Sequence, residues 1–137
     1  MLRCIRKRTP KKHQSPKQSH KENTMSQVCN LSEGNCVPCE GGVPRLSVDE
    51  AQAFAKQLHA DWVIADDNAS IKRMIKFKGF AKVVLFVNAL AWLAEKEGHH
   101  PDISFGYGYC DVTFSTHAID GLSENDFICA AKMDALL

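Results

Sequence analysis

The longest helical pattern in the chain runs from Phe80 to Glu97. A helix of this length is about 27 Å long at 1.5 Å per residue. Gly98 is a natural stop for it, and Pro101 follows just beyond. Its apolar residues lie on more than one stripe, whereas a helix that packs on a single sheet needs only one. The pattern therefore predicts either deep burial of this helix or a second contact with a partner subunit.

The composition of the 137-residue chain excludes several classes of protein. With 45% apolar residues the chain is too apolar for a disordered protein, and its length suits one domain. Lys82 and Asn88 interrupt the most apolar stretch, so no run reaches the roughly 18 residues that a membrane span needs. No repeat at a fixed period is visible.

The charges are unevenly distributed along the chain. Residues 1–24 contain eight basic residues and a single acidic one, Glu22, while the remainder has nine basic and fifteen acidic residues. We expect residues 1–24 to be a disordered basic N-terminal extension, with Met25 as an alternative start and a transit peptide as the rival interpretation. The acidic remainder argues against direct binding of nucleic acid.

Residues 25–46 form a lead-in segment rich in Cys, Gly and Pro. Cys36-Val-Pro-Cys39 has the spacing of half a zinc site, with Cys29 as a possible third ligand, but a second CxxC pair is missing. A metal-free, ordered loop is the favoured alternative. The irregular spacing of the cysteines and the lack of a secretory segment indicate a reducing cytoplasm. The six cysteines are Cys4, Cys29, Cys36, Cys39, Cys110 and Cys129.

Hydrophobic periodicity and turn residues predict seven elements in the order α-β-β-α-β-β-α. This order predicts a single α+β domain: a four-stranded antiparallel sheet with helices packed on one face. Capping boxes mark the starts of the first and last helices. The segments are a helix after Ser47, a hairpin of Trp62–Ala65 and Ile71–Phe77, the helix Phe80–Glu97, strands Ile103–Tyr107 and Tyr109–Ser115, and a helix after Ser123.

Three of the six histidines, His99, His100 and His117, lie at predicted element ends. Imidazole can give or take a proton near neutral pH, and element ends are where scaffolds present reactive groups. A three-histidine zinc hydrolase is an alternative, although adjacent His99 and His100 are poorly placed to bind one ion. Two acidic residues stand nearby: Glu95 precedes His99 by four residues, and Asp126 completes a capping box with Ser123.

The spacing of these residues resembles the signature of the pterin-4a-carbinolamine dehydratases, also called the dimerization-cofactor family. Ile103 stands where many animal members have tryptophan, and the Cys36-Val-Pro-Cys39-Glu-Gly-Gly segment resembles bacterial members. The resemblance covers roughly residues 36–137, with the dehydratase domain at 47–137. The motif is Glu95-x3-His99-His100-Pro101-x5-Tyr107-x9-His117-x8-Asp126.

The resemblance implies a hydro-lyase that removes water from 4a-hydroxytetrahydropterin to give quinonoid dihydropterin. It implies no cofactor and no metal, since the pterin is the substrate. By match, the catalytic set is His99, His100 and His117, with His99 and His117 as the acid/base pair. Glu95 and Asp126 are expected to orient the imidazoles. The residues expected to line the substrate site are Gly98, His99, His100, Pro101, Ser115, Thr116, His117 and Ala118.

The resemblance also implies partners. Family members form homotetramers as dimers of dimers, and they recycle the cofactor of an aromatic amino-acid hydroxylase. Edge strands are expected to join within dimers, with the helix Phe80–Glu97 bundled between them. Some animal members also act as dimerization cofactors of a transcription factor. A non-enzymatic interaction module is therefore the alternative function.

Overall fold

The computed structural model describes residues 30–39 and 42–137, so the predicted extension at 1–24 lies outside the described residues. The predicted element order α-β-β-α-β-β-α is confirmed. Short 3-10 turns at Leu31–Glu33 and His117–Ile119 are additional. The helices are α1 (Val48–Ala55), α2 (Phe80–Glu97) and α3 (Glu124–Asp134), and the strands are β1 (Val63–Ile64), β2 (Ile71–Lys76), β3 (Asp102–Gly106) and β4 (Tyr109–Phe114).

The four strands form one antiparallel sheet in the order β1-β2-β4-β3. Strand β2 pairs with β4 along its whole length, from Ile71 opposite Phe114 to Lys76 opposite Tyr109. This pairing places β3 at one edge and the two-residue β1 at the other. The predicted α+β class is thus confirmed, with β3 starting and ending one residue earlier than the sequence pattern suggested and β4 ending one residue earlier.

One face of the sheet is buried and the other is exposed. On β2 the buried residues alternate with exposed lysines and Met74, as a half-buried strand requires. The three helices contribute to the same core cluster as this buried face. Arg73 also lies on the buried face, where its guanidinium pairs with Asp134 at the end of α3. The Asp134 carboxylate also accepts a hydrogen bond from the Trp62 indole at 2.9 Å. The charge on an apolar face is therefore neutralised locally.

Helix α2 has the bounds that its sequence pattern predicts. One stripe of the helix is buried in the core, at Val83, Phe86, Leu90 and Ala94. The surplus apolar residues lie on the opposite side, where Leu85 is 69% and Trp92 is 74% exposed. Within the described part of the chain, none of the helices is both long and apolar enough to span a bilayer. The sequence-based expectation that this exposed stripe contacts a second subunit stays a prediction.

We predict that replacing Trp92 with Glu lowers the oligomeric mass of the protein. A carboxylate on this stripe must be desolvated when a second copy covers it, and that cost opposes assembly. Light scattering at micromolar concentration measures the mass. The matched control is Val48→Glu on α1, an exposed apolar position at a helix N-terminus where an acid is tolerated. A wild-type monomer, or an unchanged mass in the Trp92 variant, would contradict the prediction.

Candidate active site

The chain reverses at the end of α2, and this reversal positions two of the histidines. Gly98 adopts a left-handed conformation with φ of 65°, which a residue with a side chain rarely adopts. The Gly98 amide donates to the Glu95 carbonyl, and the His99 amide donates to the Ala94 carbonyl at 3.2 Å. This pair of bonds is a Schellman motif. It leaves His99 buried and the next residue, His100, exposed.

His99 is held by a buried carboxylate. Its Nε2 lies 2.7 Å from Oδ1 of Asp126, and both side chains are almost inaccessible to solvent, with His99 4% and Asp126 0% exposed. The imidazole ring also stacks on Phe114 of β4, with the ring centroids 6.0 Å apart and the planes 9° apart. The orientation of the ring is thus fixed on its face and at one nitrogen.

The second oxygen of Asp126 is fixed as well. Oδ2 accepts the backbone amide of Ser123 at 2.8 Å and the hydroxyl of Thr116 at 2.8 Å. Ser123 and Asp126 form the predicted capping box at the start of α3, where a negative charge is favoured. Because a carboxylate only accepts, Nε2 of His99 carries the hydrogen and Nδ1 of the neutral ring is an acceptor.

A small pocket of about 210 Å³ gathers most of the residues that the sequence singled out. His117 reaches it from the exposed start of the 3-10 turn that follows β4. Pro101 is not among the residues that line the pocket. The lining residues are Cys39, Gly98, His99, His100, Ser115, Thr116, His117 and Ala118.

The two acidic residues expected to orient imidazoles contact different histidines. Asp126 contacts buried His99, as described above. Glu95 contacts His100, whose Nε2 lies 3.1 Å from the Glu95 carboxylate, and both of these side chains are exposed. An exposed contact of this kind contributes little to stability, even when the imidazole is charged. The structure thus places one firmly held imidazole and one loosely held imidazole at the same pocket.

A larger cavity, of about 510 Å³, adjoins this pocket. Both are lined by Ser115, Thr116 and His117, and the larger one extends toward Arg45 and Asp102. The histidines therefore do not face a closed hole. A ligand larger than the small pocket has room to extend past His117.

Sequence reasoning missed Cys39 as a member of the pocket. The Cys39 Sγ lies 3.7 Å from Nδ1 of His99, the nitrogen not bound to Asp126. The CxxC spacing suggested half of a zinc site. Among the described residues, no three His, Cys, Asp or Glu side chains are grouped so as to hold a metal ion. The third candidate ligand, Cys29, lies outside the described residues. No local pattern indicates that the lead-in would run back to the end of α2.

The lead-in is held against the helices by two sets of bonds. The Asn125 side chain on α3 pairs with the backbone of Val37, donating to its carbonyl at 2.7 Å and accepting from its amide at 3.1 Å. The Cys36 amide donates to Glu97 at 3.4 Å, and Glu97 also accepts from Lys132 at 2.6 Å. Burial alone would raise the pKa of Glu97, but these bonds and the Lys132 charge lower it on balance.

We predict that Thr116→Val destabilises the protein by about 1–2 kcal/mol, because the buried Asp126 carboxylate loses one of its donors. Urea unfolding measures the change. Thr113→Val on the more exposed face of β4 is the matched control and is expected to stay within about 0.5 kcal/mol. Equal effects of the two substitutions would show that the Thr116 bond does not support the carboxylate.

A second prediction concerns pH. The lowered pKa of Glu97 means that its ionised form stabilises the fold above the ordinary carboxyl pKa, and this stability is lost as pH falls through the folded pKa. Glu97→Gln is therefore expected to lower the free energy of unfolding at neutral pH. The difference in the free energy of unfolding between the variant and the wild type is expected to shrink below about pH 4. A deficit that is independent of pH in urea titrations would contradict this assignment.

Comparison with known proteins identifies the family of this chain. A family model described as Pterin 4 alpha carbinolamine dehydratase matches residues 44–136. A protein from Nitrosomonas europaea, provisionally named pterin-4-alpha-carbinolamine dehydratase, is 52% identical over 112 residues, which are 82% of this chain and 97% of that relative. A relative with the same provisional name from Legionella pneumophila (strain Lens) is 48% identical over 108 residues, 79% of this chain and 96% of its own.

Solved structures show the same fold. A crystal structure titled transcriptional coactivator/pterin dehydratase, from Brucella melitensis, superposes with a TM-score of 0.64 at 35% identity and covers 68% of this chain and 98% of its own. A pterin dehydratase-like protein identified as a RuBisCO assembly factor in the alpha-carboxysome superposes with a TM-score of 0.50 at 30% identity, covering 57% and 90% of the two chains. With its motif, its fold and these matches in agreement, the chain belongs to the pterin 4 alpha carbinolamine dehydratase family.

Proposed function

We propose that this protein dehydrates 4a-hydroxytetrahydropterin to quinonoid dihydropterin and water. The observation that carries the proposal is the buried Asp126–His99 pair, at 2.7 Å, within a pocket that His100 and His117 also line. A histidine held by a buried carboxylate, facing a pocket with other imidazoles, is an arrangement suited to proton transfer. Membership of the family supplies the substrate class.

The reaction needs one acid and one base. The hydroxyl on C4a leaves as water when the lone pair of N5 forms a double bond to C4a, so an acid must protonate the departing oxygen. The N5 proton must then be removed by a base. Imidazole can perform both tasks near neutral pH. No redox step occurs, and the atoms balance as substrate, product and one water.

The geometry supports different roles for the three histidines. Because Nε2 of His99 donates to Asp126, its Nδ1 is the nitrogen available for proton exchange, and the carboxylate stabilises the ring when it is protonated. His117, exposed on its 3-10 turn, is the second member of the acid/base pair. His100, which contacts Glu95, is assigned to positioning the pterin.

The proposal also covers the cofactors, the compartment and the oligomeric state of the protein. The pterin is the substrate, and no cofactor or metal is assigned to the chain. The product returns to the cofactor cycle of an aromatic amino-acid hydroxylase. We place the protein in the cytoplasm as a homotetramer. The exposed stripe of α2 supports assembly, and the free thiols at Cys36, Cys39, Cys110 and Cys129 suit a reducing compartment.

Substitution of the histidines tests the mechanism. His99→Gln and His117→Gln are each expected to lower turnover in a pterin dehydration assay by about 10²–10⁴-fold, the usual scale for a general acid or base. His100→Gln is expected to raise the apparent KM more than it lowers kcat. His59→Gln, at an exposed histidine outside the pocket, is the matched control and should leave turnover unchanged.

Two outcomes would overturn the proposal. One is unchanged turnover in the folded double variant His99→Gln with His117→Gln. The other is a rate abolished by a chelator and restored by zinc, which would support the three-histidine zinc hydrolase instead. The uncatalysed loss of the hydroxyl sets a floor, so each rate is compared with that of a protein-free sample.

The second candidate function is a non-enzymatic interaction module. The observation that favours it is the exposed apolar stripe of α2 at Leu85 and Trp92. Two structural relatives are described as a transcriptional coactivator/pterin dehydratase and as a RuBisCO assembly factor, so this fold also serves binding roles. Turnover discriminates the two functions, because a pure binding module would not accelerate the dehydration.

A further inference from the structure

The pocket contains a thiol that the dehydration does not use. Cys39 is half-buried and lines the pocket, and its Sγ lies 3.7 Å from Nδ1 of His99. His99 is itself more than nine-tenths buried, yet its ring also lines the pocket. Since Nε2 is occupied by Asp126, the nitrogen next to the thiol is the free acceptor of the neutral ring. The thiol, the imidazole and the carboxylate are therefore joined by two successive contacts.

A donor on the other side of the sulfur completes the environment. The side-chain amide of Asn125 donates to the Cys39 Sγ at 3.5 Å. The negative charge of a thiolate is favoured by such a donor and by a neighbouring protonated imidazole. This is the general logic of an activated nucleophile: a base within reach, oriented in turn by a third group.

The other described cysteines lack this combination. Cys110 is fully buried on β4, and burial together with the Asp111 charge raises its pKa to about 11. Cys129 is buried on α3, and its hydrogen bond with Cys36, followed by burial, raises its pKa strongly. Cys36 is half-buried and is in contact with Cys129, with the two sulfurs 3.4 Å apart. Structural thiols of this kind react slowly.

We propose that Cys39 is a modification site at which a small disulfide forms a reversible mixed disulfide, and that this adduct closes the pocket around His99, His100 and His117. The proposal rests on the line of contacts from Cys39 through His99 to Asp126 and on the open pocket beside it. Its chemical partner is a low-molecular-weight disulfide such as oxidised glutathione. Only the loss of turnover rests on the proposed function.

The exchange step is balanced without a further oxidant. The Cys39 proton passes to Nδ1 of His99, and the thiolate attacks one sulfur of the small disulfide. One sulfur–sulfur bond forms as the other breaks, so the Cys39 sulfur is oxidised while the departing sulfur is reduced. The leaving thiolate then takes up the proton held by His99. Attack by an added thiol reverses the reaction.

The first test measures thiol reactivity alone. The full chain is alkylated with iodoacetamide, natively and in urea, and the rate at each cysteine is read by peptide mass spectrometry. Cys39 is expected to react about 10-fold faster in the folded chain than in the unfolded one, whereas Cys110 and Cys129 react at least about 10-fold slower when folded. A folded-to-unfolded ratio at or below one for Cys39 would overturn the proposal.

Two histidine variants test the source of the reactivity. His99→Gln is expected to abolish the acceleration at Cys39, because the base is lost. His117→Gln, at a histidine that lines the same pocket but forms no hydrogen bond with Cys39, is expected to retain the acceleration. Equal losses in both variants would overturn the role of His99. If the His99 variant does not fold, the proposal is judged by the folded-to-unfolded alkylation ratio of Cys39 in the wild-type chain and in His117→Gln.

The second test uses oxidised glutathione. We expect one glutathionyl group on Cys39, a parallel fall in dehydration turnover, and recovery of both with dithiothreitol. Cys39→Ser should take up no group at this segment, and its remaining turnover should not respond to oxidised glutathione. Cys36→Ser, the matched control within the same CxxC segment, should still be modified at Cys39. A disulfide between Cys36 and Cys129 as the main product would overturn the proposal.

The two proposals fail in different ways. An unmodified chain without dehydratase turnover defeats the proposed function and leaves the alkylation ratio at Cys39 intact. A chain that turns over normally after full glutathionylation of Cys39 defeats the closure of the pocket. If oxidised glutathione abolishes turnover without modifying Cys39, then Cys39 is not the modification site.

Discussion

The buried carboxylate of Asp126 is the interaction on which the site depends. One of its oxygens caps the first turn of α3 and accepts from the hydroxyl of Thr116, two residues after β4, and the other holds the ring of His99. Leaving such a charge without its donors costs several kcal/mol, so the three elements must meet in one arrangement. Folding and the orientation of the imidazole are therefore a single requirement.

A second carboxylate fixes the opposite end of α3. Asp134 neutralises Arg73 on the buried face of the sheet and accepts the Trp62 indole. A helix fixed by carboxylates at its first and last turns cannot slide along the sheet without leaving charges unpaired. The candidate site is thus built on a firmly held helix, while His100 and His117 lie on exposed segments at element ends.

Local signals explain why much of the fold was predictable. The capping boxes at Ser47 and Ser123 and the stop at Gly98 act within a few residues, so the sequence marks them directly. The spacing of the histidine motif likewise indicated the family. The partners of Thr116 and Cys39 were not predictable, because they depend on how β4, α3 and the lead-in meet in space. Glu95 illustrates the limit: its spacing from His99 suggested a contact, but the Schellman turn gives that position to His100.

The same helix turn that orders the imidazole also orders the thiol. Asn125 holds the lead-in through Val37 and contacts Cys39, while its neighbour Asp126 holds His99. Both residues lie in the first turn of α3, which the capping box fixes before any ligand is present. The pocket therefore cannot present His99 without also presenting Cys39 beside it. Under the two proposals, proton transfer and thiol exchange take place in the same 210 Å³ pocket, so a small disulfide that modifies Cys39 would occupy the space beside the histidines.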